Sequence, residues 1–592
     1  MTAGVRQGTR DARGGRAGAG RVRLPVVALL AGVGYRLALL AFHAPATNSD
    51  EATMGLAALH IARGQDFPVW FYGQSYMGTL EAYLAAPVLA LTGPSVFGLR
   101  LVTLALYALF VLLAWRLTLR LTGDRWFALL VVALLALGSD RIVKNQLIAG
   151  GGYPEMSPAA AALALLTYDL CAGRPGRRLP RWTAWGLLAG LMLWVDPLVL
   201  PYVLGAAAVL VAFRRRELRG RAGAVLGIAT LAGAAPLLGH SLATGRNPLA
   251  AVLAAAGGGA GVPAGWADRL HGGLLLGPPL GMGFCAPGDC ATWQLWWAFA
   301  LPVLLVVGVV SALRVLGVGR AGNDVGGTDH AGSGGAGPDR AVSGRAGSDH
   351  AASVRAGSDL GPFPSGSSGS RPSSAGAGAV EGRVGAAVRL ALVAAGAATL
   401  VAYTVSSSAG RTPVESSRYL SCLLVSLPAL LWPLWRAARR LTDGRSPLAG
   451  RRVAGLLAAA VLAATVAGTG YATYRAAGTA PAARAAEARH AELVGTLREL
   501  GVRHVYGGYW TCNRLTFASG EDVVCAVVDD ELRPGFDRYA PYRRVVAASA
   551  APAWIAPTGS PLAARLDERL RAAPGSLYLI TIDGYRIYLA HA

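Results

Sequence analysis

Apolar runs too long and too clean for a water-soluble core constrain this chain more than any other feature. Val102–Trp115 and Trp126–Leu137 carry no charged residue, and several other segments are nearly as clean. Many approach the roughly 20 apolar residues that a helix needs to cross a bilayer. Only 15% of the 592 residues are charged, against about a quarter in soluble domains. Helices that face lipid or one another account for both observations.

The net charge of +22 could suggest nucleic acid, but the distribution argues against it. Arginines cluster beside apolar segments, as in the cytoplasmic loops of membrane proteins. Placing the arginine-rich N-terminus inside gives about eleven spans. They fall near 24–43, 98–119, 126–143 and 157–171, then two short spans pivot at Asp196-Pro197. The rest fall near 222–238, 295–313, 386–404, 420–435 and 453–472. Each later inner loop then comes out arginine-rich without adjustment.

The expected fold is mainly α. It is a polytopic transmembrane helical bundle, N-terminus in and C-terminus out, with a small extracytoplasmic α/β domain. Residues 1–23 read as a disordered basic tail, and 24–315 as a first transmembrane module with an outer loop at 44–97. Residues 316–385 form a Gly/Ser/Asp/Arg-rich linker, too polar to offset chain entropy by burial. Spans occupy 386–475 and the outer domain 476–592. In that domain 485–500 is helical in pattern, while 502–506, 523–528, 577–582 and 585–589 read as strands. The last two flank Asp583-Gly584, a hairpin signal.

Cys285 and Cys290 fall in one outer loop, Cys512 and Cys525 in the outer domain. An oxidising exterior permits the bridges Cys285–Cys290 and Cys512–Cys525; free thiols are the alternative. Neither pair has the partners of a zinc site. Trp293, Trp296 and Trp297 read as an interfacial aromatic belt.

Acidic residues close to a membrane are costly and mark function by default. Asn48-Ser49-Asp50-Glu51 opens the first outer loop. Its two readings are a reactive carboxylate at the membrane surface and a helix start, with Ser49 as cap and the acids in the first turn. Lys144, Arg141, Arg411 and Arg418 sit at outer ends of spans, where they could bind a lipid phosphate or simply snorkel.

Asp50-Glu51-Ala52 is followed by Phe71-Tyr72-Gly73-Gln74-Ser75-Tyr76-Met77-Gly78 and Glu81-Ala82-Tyr83. With the many spans and outer C-terminal domain, this order resembles the GT-C-fold membrane glycosyltransferases, the superfamily of aminoarabinose transferase and the protein O-mannosyltransferases. Gly151-Gly152-Tyr153-Pro154-Glu155, Ser417-Arg418-Tyr419-Leu420 and Val505-Tyr506-Gly507-Gly508-Tyr509-Trp510 are similar to a bacterial branch of it. The resemblance covers most of the chain outside the tail and linker.

It implies a plasma-membrane enzyme that moves a sugar from a polyprenyl-phosphate donor to an extracytoplasmic glycan, lipid or protein. Asp50 would be the general base, since a carboxylate near a low-dielectric surface binds protons more tightly, with Glu51 as helper. A divalent cation held by Asp50 and Glu51 is the other role open to them. Arg418 matches a position of that branch and is the first choice for the donor phosphate, followed by Lys144 and Arg411. Tyr72, Gln74, Tyr76, Glu81, Tyr153, Glu155 and Tyr419 would line the cavity. A transporter and a non-catalytic envelope-assembly scaffold are the rival readings. No internal repeat supports the former.

Overall fold

The computed structural model describes residues 11–247, 250, 263–325, 374–442 and 449–590. Among them, six helical segments are long and apolar enough to cross a membrane, and nine if each sharply bent pair counts as one span. The expected segment at 126–143 is such a pair, Arg125–Ala136 and Asp140–Leu147, bent by 87°. Two other expected spans, Tyr153–Cys171 and Arg178–Val195, are helices of 19 and 18 residues that fall short of that measure.

Glycine lets the bundle close. Gly186 and Gly190 on one helix face Leu226 and Thr230 on the Arg221–Gly233 helix. A β-carbon at Gly190 would lie 2.0 Å from the Thr230 carbonyl oxygen. Small residues four apart replace the hydrophobic drive that lipid removes.

The helix of the eighth expected span continues to Val325, and the next begins at Ser374. The flanks of the expected 316–385 linker are therefore helical, and its centre, 326–373, lies outside the described residues. The expected tail is helical from Asp11 onward, and residues 1–10 lie outside the description. The Trp belt is corrected in part. Trp293 is exposed, whereas Trp297 is fully buried, stacked 4.4 Å from Phe284 with its Nε1 3.1 Å from the Met282 sulfur.

The C-terminal domain holds a five-stranded sheet in the order β2-β1-β3-β5-β4. The strands are β1 (His504–Gly507), β2 (Val524–Val527), β3 (Ala553–Pro557), β4 (Leu577–Ile582) and β5 (Tyr585–Ala590). β1 runs parallel to β2 and β3, while β5 is antiparallel to β3 and β4. The sequence reading has no strand at β3, because Pro552 and Pro557 bound it and proline weakens a strand signal. Disulfides join Cys285 to Cys290 and Cys512 to Cys525.

The outer loop carries the helices Ser49–Ala62 and Leu80–Thr92. The first does not lie free on a membrane surface. Nearly every residue from Ser49 to His60 is buried, because the helix is clasped between the membrane module and the C-terminal domain. Phe517 of the helix Tyr509–Ala518 packs on Gly55, where a β-carbon would approach its ring to 2.6 Å.

Candidate functional site

The site begins with a helix cap. The Asn48 side chain accepts from the Glu51 amide at 2.8 Å, so Asn48 and not Ser49 caps the helix. Ser49 is turned to the C-terminal domain instead. Its hydroxyl donates to the Tyr509 carbonyl at 2.6 Å and accepts from the Asn513 amide at 2.9 Å. The cap fixes Asp50 and Glu51 in the first turn, and successive helical residues point about 100° apart. The two acids therefore face different surroundings.

Glu51 is fully buried and paired at both oxygens with Arg100, at 2.7 and 2.6 Å. Arg100 also donates to the Pro45 carbonyl at 2.8 Å. Burial pushes the Glu51 carboxyl up, and Arg100 pulls it back. Glu51 is not among the residues that line the cavity Asp50 faces, so the structure does not support its expected place beside Asp50 in the site. Its charge is spent on packing the outer loop against the Val96–Thr122 helix.

Asp50 opens instead into a cavity of about 270 Å³. One of its oxygens accepts from the Tyr509 hydroxyl at 2.6 Å and from Arg538 at 2.8 Å. Arg538 also donates to the Tyr509 oxygen at 2.8 Å, and its guanidinium lies 4.6 Å from the Phe71 ring centre. Burial and the Asp50 charge hold the Tyr509 phenol well above its ordinary range, so it is a donor. Arg538 and Tyr509 both come from the C-terminal domain, which thus supplies one residue of the cavity wall, Arg538, and one that holds Asp50 in place, Tyr509.

Arg418 lines the same cavity, 5.7 Å from the ring centres of both Tyr153 and Tyr419. Gln74, Tyr76 and Tyr403 complete that wall. Arg141 donates to the Val414 carbonyl at 2.6 Å and braces the segment that carries Arg418. Asp196, at the break between two helices, is a second acid in the cavity. It accepts from the Leu198 amide at 2.8 Å, and burial pushes its carboxyl up to about 7.

A glycine turn separates the two acids. Gly151 and Gly152 have φ of 123° and 82°, values that favour glycine. A β-carbon at Gly151 would sit 1.7 Å from Met77 Cε, and one at Gly152 3.1 Å from Asp196 Cβ. Their amides donate to Glu81 at 3.3 and 3.2 Å. Glu81 is raised by burial, with Glu155 buried against it. This carboxyl pair supports the glycine turn from behind and does not line the cavity.

Of the residues singled out from sequence, Asp50, Gln74, Tyr76, Tyr153, Arg418 and Tyr419 come together. Tyr72 backs the wall. Its hydroxyl donates to Asp66 at 2.9 Å and meets His60 Nδ1 at 2.7 Å, while its carbonyl accepts from Arg538 at 3.4 Å. Lys144 pairs with Asp140 at 2.8 Å, and neither it nor Arg411 lines this cavity. Sequence reasoning missed Arg538, Tyr403 and the role of Asp196. Only Asp196 carried a signal: an acid before a proline inside an apolar run. The divalent cation considered for Asp50 and Glu51 finds no donor set. Among the described residues no three His, Cys, Asp or Glu side chains converge.

No family model and no curated protein matches this sequence. Among solved structures, the chain is similar to ArnT from Cupriavidus metallidurans bound to undecaprenyl phosphate. The identity is 13% and the TM-score 0.54, over 96% of this chain and 97% of that one. The chain has the GT-C fold. A looser likeness links it to the oligosaccharyltransferase AglB from Archaeoglobus fulgidus in complex with an inhibitory peptide and a dolichol-phosphate. There the identity is 12% and the TM-score 0.44, over 96% of this chain and 74% of that one. At such identities the likeness concerns fold, and within the GT-C fold of this chain the cavity is built by its own residues.

Proposed function

We propose that this chain is a membrane glycosyltransferase that moves a sugar from a polyprenyl-phosphate-linked donor to an extracytoplasmic glycan, lipid or protein. The observation that carries the reading is the convergence of Asp50 and Arg418 on one cavity. A polyprenyl phosphate presents an anion at the membrane boundary and a lipid tail within it. Arg418, 5.7 Å from the ring centres of two tyrosines, offers a charge-assisted site for that anion. Asp50 is the base that takes the acceptor hydroxyl's proton as the oxygen attacks the anomeric carbon. The undecaprenyl phosphate bound to ArnT, a protein of the same fold, supports a lipid donor of this class. The arginine-rich inner loops support the inside N-terminus and a plasma-membrane setting with the cavity facing outward. The eleven-span count and the domain limits are part of the same reading.

The test is transfer of labelled sugar from polyprenyl-phosphate sugars in membranes carrying the wild type, Asp50→Asn or Glu51→Gln. Loss of transfer in Asp50→Asn, with the protein still folded, is the expected result. Undiminished transfer by Asp50→Asn removes Asp50 from the chemistry. A wild type inactive with every such donor removes the donor class.

A further inference from the structure

Asp50 shares Arg538 with the space where, on the reading above, the donor phosphate is held. Arg538 is nearly buried, at 8% exposure. It reaches the cavity from a C-terminal loop 488 positions from Asp50. It lines the cavity together with Arg418, yet its charge is engaged by Asp50. The other charged or titratable groups facing Asp50 are Tyr509 and, across the cavity, Arg418. Tyr76, Tyr153 and Asp196 stand on the remaining walls.

Glycosyl transfer moves charge between two places in this cavity. The acceptor oxygen forms a bond to the anomeric carbon, and the bond from that carbon to the phosphate oxygen breaks. The electron pair of the broken bond stays on the phosphate. The acceptor proton passes to Asp50. The donor phosphodiester, with one negative charge, becomes a monoester carrying about −1.5 to −2 at neutral pH. Asp50 becomes neutral in the same step. One unit of negative charge has thus left the partner of Arg538 and appeared on the phosphate.

Resting on that reading, we propose that Arg538 exchanges partners during the reaction, from Asp50 in the empty site to the departing polyprenyl phosphate. Before the step it is hydrogen-bonded to Asp50 and aims the carboxylate. As Asp50 takes its proton, the guanidinium is released to the second charge of the leaving phosphate, beside Arg418. Its stack on Phe71 and its bond to Tyr509 hold it within reach of both partners. The C-terminal domain on this account takes part in the chemistry and is not only a cover.

The experiment compares Arg538→Gln and Arg538→Lys with the wild type in detergent. One readout is kcat. The other is binding of free undecaprenyl phosphate, with undecaprenol as the control that lacks the headgroup. Removing one donor to developing charge lowers kcat by about 10²-fold. Undecaprenyl phosphate affinity falls about tenfold, and undecaprenol binding is unchanged. Arg538→Lys restores part of the affinity.

Wild-type kcat with wild-type undecaprenyl phosphate affinity in Arg538→Gln overturns the exchange. So does equal weakening of undecaprenol binding, since that is the signature of a structural clamp. If Arg538→Gln fails to fold, Arg538→Lys decides alone. Intermediate undecaprenyl phosphate affinity supports the exchange, and affinity equal to wild type contradicts it. Failure of the glycosyltransferase reading looks different: the wild type transfers nothing, or Asp50→Asn transfers normally.

Discussion

Asp50 and Glu51 are neighbours on one helix turn, yet they occupy opposite kinds of place. Glu51 is sealed, fully buried with both oxygens paired to Arg100. Asp50 is 19% exposed, faces a cavity, and is held by partners from a domain more than 450 residues away in sequence. The same residue class, one position apart, is a buried ion-pair partner on one side and a cavity-lining carboxylate on the other. What separates them is the helix period and what each face meets, and neither can be read from the Asp-Glu pair alone.

The largest expected effect tests the open side. Asp50→Asn lowers kcat by about 10²–10⁴-fold, the usual contribution of a general base, with little change in thermal stability. Transfer assays on protein shown to be folded check this. The sealed side answers differently. Glu51→Gln leaves Arg100 buried without its countercharge, at a cost of about 3–5 kcal/mol, while activity per folded molecule stays within about twofold. Thermal unfolding in detergent reads the first quantity, and transfer normalised to folded protein the second.

Two smaller effects sharpen the boundary of the site. Arg418→Gln removes a charge-assisted contact worth about 1.5–3 kcal/mol, so KM for the donor rises by about 10–100-fold with a lesser change in kcat. Lys144→Gln lies outside the cavity, and its exposed helical pair with Asp140 is worth about 0.3–0.5 kcal/mol. Both kinetic constants stay at wild-type values; a KM increase in Lys144→Gln like that of Arg418→Gln would enlarge the phosphate site.

Much of this arrangement was legible in the sequence. The apolar runs and arginine-rich loops gave the membrane helices, because bilayer thickness and charge cost act on composition directly. Asp583-Gly584 announced the β4–β5 hairpin through turn chemistry. Asp50, Arg418 and the tyrosines around them were read from residues that the fold does bring together. Arg538 was not legible. Its place depends on the C-terminal domain docking over the Ser49–Ala62 helix, a long-range event without a local signature. Glu51 and Lys144 were misplaced for a related reason: each is claimed by a partner, Arg100 or Asp140, and sequence position does not show which charges are already satisfied.

The central claim is that Asp50 and Glu51 hold separate jobs. It is tested most directly by measuring stability and transfer rate on Asp50→Asn and Glu51→Gln from the same preparation. The account predicts a crossed result: Asp50→Asn stable and inactive, Glu51→Gln unstable and active per folded molecule. Two variants with parallel losses in both quantities, or an active Asp50→Asn, would contradict it.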